Sequence, residues 1–174
     1  METATSPPVR AGRRPRDMVM AMVVLMVPVI LIVGLYRFLG HDTPPTVDTA
    51  SAYDAARAAH AFDVVTPTGL ADGWHISTAT YASGTLRVGI TSPKGGALQL
   101  VESSTPPATL LPAELGAAAK PDGTTVDVNG AAWQRYTGLR PEEKAIVLST
   151  PGRTIVVVGK ASDSDLVTLA SSLH

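Results

Sequence analysis

Cysteine is absent from the 174 residues, so a disulfide framework, a thiolate zinc site and a cysteine nucleophile are all excluded. Charge is sparse, at 17% of residues, with a formal net charge of -1. Beyond residue 41 the chain holds thirteen acids against nine lysines and arginines, a net of -4. So acidic a region lacks the basic face that nucleic acid requires, and no nucleic-acid partner is expected. Catalytic motifs are missing too. There is no G-x-S-x-G, no P-loop and no dinucleotide fingerprint. The four histidines, His41, His60, His75 and His174, never fall three or four residues apart, so no local metal-ligand pair forms. No cofactor and no metal is expected, and the chain does not read as an enzyme.

One long apolar run stands out. Residues 18–36, MVMAMVVLMVPVILIVGLY, are nineteen positions without a charge. At 1.5 Å per residue a helix of that length covers roughly the 30 Å hydrocarbon core of a bilayer. In lipid its backbone groups have no water to bond, which leaves the helix as the conformation available. Pro28 lies within the run and predicts a kink. Arg10, Arg13, Arg14 and Arg16 precede the run. The positive-inside rule then puts the N-terminus in the cytoplasm and the remainder outside, at the plasma membrane. Bulky residues, Leu35-Tyr36-Arg37-Phe38, follow where a signal peptidase would need small ones, so the run reads as an uncleaved anchor. The expected organisation is a basic tail over 1–17, a transmembrane helix over 18–38, a linker with a short stalk helix over 39–61, and an outer domain over 62–174. The lipid bilayer is the first expected partner.

The outer region alternates as strands do. Its expected fold class is α+β, an antiparallel sheet of six to eight strands in hairpins with helices packed on one face. An alanine-rich helix is predicted over 51–60, with Ser51 as its N-cap. Trp74, Ile76, Thr78 and Thr80 predict one strand; Leu86, Val88 and Ile90 a second; Leu98, Leu100 and Glu102 a third. A short helix is predicted over 112–119, with Pro112 in its first turn and Lys120-Pro121 ending it. Asn129-Gly130 and Pro151-Gly152 each mark a hairpin. Leu166, Leu169, Ala170 and Leu173 fall at helical spacing within 163–173, so one face of a last helix should dock on the sheet.

These pieces, in order, resemble an actinobacterial family of single-span membrane-anchored proteins whose extracytoplasmic domain has no known function. The resemblance begins at Arg16-Asp17-Met18. It continues through Pro67-Thr68-Gly69-Leu70-Ala71-Asp72-Gly73-Trp74, Val88-Gly89-Ile90-Thr91-Ser92-Pro93 and Gly130-Ala131-Ala132-Trp133. It closes on Val158-Gly159-Lys160-Ala161 and Leu169-Ala170-Ser171-Ser172-Leu173. Ala71 stands where the family pattern places proline. The resemblance implies an anchor plus an outer domain and implies no activity.

Four residues are candidates for contact with a ligand or partner: Trp74, His75, Trp133 and Arg135. The two tryptophans could stack on a sugar or peptide, although sheet indoles of this kind more often fill a core, and Trp74, Trp133 and Leu169 are expected to share one. His75 neighbours Trp74 and is expected to face solvent. Arg135, with Arg87, offers a modest cationic spot. Glu142-Glu143 reads as a solvated turn, and Asp163 and Asp165 as acids complementing a helix N-terminus. The function expected is non-catalytic binding of a protein or cell-envelope component by a tethered module. Two alternatives are an accessory subunit acting through its span, where Met18, Met20, Met22, Met26 and Gly34 give an adaptable surface, and an envelope hydrolase with an unrecognised site.

Overall fold

The protein is described here as a computed structural model, over residues 15–39 and 49–174. The tail over 1–14 and the linker over 40–48, with its Pro44-Pro45 pair, lie outside the described residues. The chain divides into two compact units, Met1–Thr43 and Pro44–His174.

The first unit contains one 25-residue helix, α1, Pro15–Leu39, with Pro28 inside it. Its side chains are described at residues 19, 20 and 22–32, and the large apolar ones among them are all exposed, from Val27 at 49% to Leu25 at 72%. Among the described residues no helix is long and apolar enough to cross a membrane.

The second unit is an antiparallel seven-stranded sheet with three helices. After α2 (Ala50–Ala58) come β1 (His75–Ala82), β2 (Thr85–Thr91) and β3 (Ala97–Ser103), a meander. Helix α3 (Pro107–Leu115) carries the chain to β4 (Lys120–Val128), β5 (Ala131–Thr137), β6 (Lys144–Thr150) and β7 (Arg153–Lys160), and α4 (Asp163–Ser171) follows. The spatial order is β1-β2-β3-β7-β6-β5-β4, so the second meander returns to lay β7 against β3. The turns explain the hairpins. Asn129 and Gly130 adopt φ of 54° and 79°, both left-handed, as a two-residue turn between twisted strands requires.

Alternation sorts side chains onto two faces. Leu86, Val88, Ile90, Leu98, Leu100, Trp133, Ile146, Ile155 and Val157 form the larger core, covered by α2 through Ala52, Tyr53 and Ala56 and by α4 through Leu166, Leu169 and Ala170. Val101, Ala145, Val147, Val156 and Val158 point the other way and meet Leu110, Leu111 and Leu115 of α3. The expectation of helices on one face is therefore corrected. A strand such as β7, buried at Thr154 through Val158 in succession, has no wet side, and its second face needs its own cover.

Two further expectations change. The helix predicted over 112–119 lies at Pro107–Leu115, with Pro107 in the first turn and Pro112 in its interior, and Lys120-Pro121 opens β4. The N-cap of α2 is Thr49, whose side chain makes no capping bond, in place of Ser51. Helix α2 packs into the domain core, where Tyr53 and Ala56 are buried. Helix α4 is as expected, and Ser162 and Asp165 close a reciprocal capping box at its start.

Candidate functional site

The four sequence candidates are not brought together. Trp74 precedes edge strand β1 while Trp133 lies on β5, five strand intervals away, roughly 24 Å at ordinary strand spacing. Trp133 is 3% exposed and belongs to the main core beside Leu169, so it offers no surface to a ligand. Trp74 is half-buried against the same core. His75 is exposed on β1. Arg135 donates to Asp163 Oδ1 at 2.9 Å and Lys144 reaches the other oxygen at 3.0 Å, which holds the Asp163 carboxyl below the usual carboxylate range. Arg87 forks onto Glu114 of α3, with Nε 3.1 Å from Oε1. Each strand arginine is thus paired with an acid, Arg87 with Glu114, and Arg135 with an Asp163 that it shares with Lys144. Glu143 pairs with Arg140 at 2.8 Å, and exposed Glu142 lies 3.4 Å from Lys160.

A different place carries the marks of a site. Where α2 ends, residues 60–64 leave the helix and run beside the β6–β7 hairpin. A cleft of about 460 Å³ lies between them, lined by Arg57, His60, Asp63 and Arg153 among others. Arg57 stands over the Tyr53 ring, 5.6 Å from its centroid, and makes a loose 3.5 Å pair with Asp54. Arg153 donates from Nη1 to the Asp63 carbonyl, tying hairpin to linker across 90 positions of sequence. His60 takes the position after the C-cap of α2 with φ of 50°, and its Nδ1 lies 2.8 Å from the Ala58 carbonyl oxygen. Glycine is the ordinary residue at such a left-handed helix exit.

Behind the cleft lies a polar pair with little to satisfy it. Glu102 occupies the inward row of β3, two residues beyond Leu100, flanked by Leu86 of β2 and Ile155 of β7. It is fully buried. The backbone N–H of Val65 donates to its Oε2 at 3.0 Å, but Oε1 has no hydrogen-bond partner in the protein. The Tyr53 hydroxyl is buried and unpartnered as well. Burial pushes the Glu102 carboxyl up to about 7, against the Val65 bond and the charges of Arg153 and Arg57, which favour the carboxylate. Burial and the Glu102 charge together push Tyr53 up to about 12.

Sequence reasoning missed this arrangement. One signal was present, a glutamate continuing the inward apolar series Leu98, Leu100. The convergence of Arg57 with Arg153 had no local signal. Among the described residues no three acids or histidines cluster as metal ligands. No curated protein and no solved structure matches the chain. A family profile does match, over residues 10–173. The chain belongs to the family described as protein of unknown function (DUF4245).

Proposed function

We propose that the chain is a single-pass plasma-membrane protein whose Pro44–His174 domain stands outside the cytoplasm and binds a protein or cell-envelope component without catalysis. The observation that carries the reading is the uncharged sequence run over 18–36 behind four arginines. The domain supports a binding role through its cleft, which is lined by two arginines from distant elements. Among the described residues the acid pushed furthest from its ordinary value, Glu102, is fully buried, which is poor support for catalysis.

Photo-crosslinking in living cells tests this reading. A crosslinker at Thr150 or Ala61, both exposed on the cleft rim, should capture a reproducible envelope or membrane component. One placed at exposed Thr125 on β4 should not. Equal capture from all three positions would end the claim of a specific binding face.

A further inference from the structure

We propose that the cleft at the end of α2 binds a phosphate group between Arg57 and Arg153, and that filling it draws a proton onto Glu102. The proposal deepens the binding reading above and rests on it for its biological setting.

The arginines supply the first argument. Arg87, Arg135 and Arg140 each hold a carboxylate, on Glu114, Asp163 and Glu143. Arg153 holds none among the described residues; its bond goes to the Asp63 backbone carbonyl, leaving other donors of the guanidinium unused. Arg57 has only Asp54, at 3.5 Å, with both side chains more than half exposed, a pair of little strength that an incoming anion can displace. Two forked donors facing one cleft suit an oxyanion. The Asp63 side chain, exposed at the rim, is the opposing charge.

His60 supplies the second. At φ of 50° a glycine would be freer, yet the residue there is a histidine, and it lines the cleft. With Nδ1 donating to the Ala58 carbonyl, Nε2 is left for the cleft.

The proton link follows from what surrounds Glu102. Tyr53 and Arg57 face it from α2, Arg153 from β7, the Val65 N–H from the linker, and its strand neighbours are the apolar Leu86 and Ile155. Neither arginine is within ion-pair reach, yet both favour the carboxylate through space. An anion between them cancels that help. Glu102 then holds its proton more firmly, so binding near neutral pH takes up protons and strengthens as pH falls.

The test is calorimetry on the full-length chain in an uncharged detergent, titrated with sulfate, a stand-in that does not itself titrate near neutrality, and then with inorganic phosphate. Saturable binding at least threefold tighter at pH 6 than at pH 8 is expected. Arg57→Gln, at an exposed position, and Arg153→Lys should each weaken it about tenfold. Glu102→Gln should keep the affinity at pH 6 and reduce the protons taken up, as read from buffers of different ionisation heat. In vesicles containing phosphatidylglycerol, weakened sulfate binding would identify a lipid headgroup as the source, and unchanged binding a soluble phosphate. Absence of saturable sulfate and phosphate binding, or indifference to Arg57→Gln, overturns the site. Unchanged proton uptake in Glu102→Gln overturns the link. Crosslinking from the cleft rim does not enter this measurement, so either result can fail alone.

Discussion

Glu102 has a folded-state pKa of about 7 against an ordinary 4.5, because burial disfavours its charge. Below pH 4.5 both folded and unfolded chains carry the proton, and the residue adds no pH-dependent cost. As pH rises toward 7 the unfolded chain releases its proton and the folded one does not, so stability falls. Above 7 the loss is complete, and a shift of this size corresponds to about 3 kcal/mol. Urea unfolding of the wild-type chain should therefore show a lower midpoint at pH 7.5 than at pH 5.5, while Glu102→Gln should show almost none of that difference. Equal midpoints in the wild type would mean that Glu102 is charged without penalty. At Trp133 the expectation is simpler. An indole 3% exposed in the main core should cost about 3–5 kcal/mol when cut to alanine, read from the same unfolding curves. Legibility at this scale was uneven. Trp133 could be placed in the core because its strand alternates, whereas the cleft arginines could not be found, since nothing near Arg57 in sequence points to residue 153.

Elements were easier to read where their signals were local. Asn129-Gly130, Pro151-Gly152 and the acids of α4 lie within a few residues of what they determine, and all three behave as expected. Helix α3 was misplaced because two prolines could each open a helix, and the earlier one does; Pro112 sits in the interior of a nine-residue helix that α3 holds by packing Leu110, Leu111 and Leu115 on the sheet. The second covered face was not legible either, because a strand buried on both sides shows no period. Within β7, Gly159 approaches β3 so closely that an added β-carbon would stand 2.1 Å from the Ala97 carbonyl oxygen and 2.7 Å from the Leu98 Cα. These are backbone atoms and cannot swing aside. Gly159→Ala should force β3 and β7 apart and lower the thermal midpoint sharply, whereas Gly152→Ala, at a hairpin tip with open space around it, should cost only the roughly 1 kcal/mol of its left-handed backbone. Similar losses from the two would show that β3 and β7 tolerate separation there.

At the scale of the whole molecule, the absence of cysteine makes topology directly measurable, because a single introduced thiol is the only one present. Ser104→Cys, exposed after β3, should react in intact cells with a maleimide that cannot cross membranes, and Thr5→Cys should react only after the cells are opened. The reverse pattern would invert the proposed orientation. The sheet order has a consequence of its own. Strand β7 is the last strand made and the middle one in space, bonded to β3 on one side and β6 on the other. Until it arrives, two separate three-stranded ribbons each display a bare edge, and β3 and β6 have every reason to pair with the wrong neighbour. Synthesis therefore leaves an interval in which the growing chain is open to misassembly and to any chaperone that guards strand edges, and the interval closes in one step when β7 slots in.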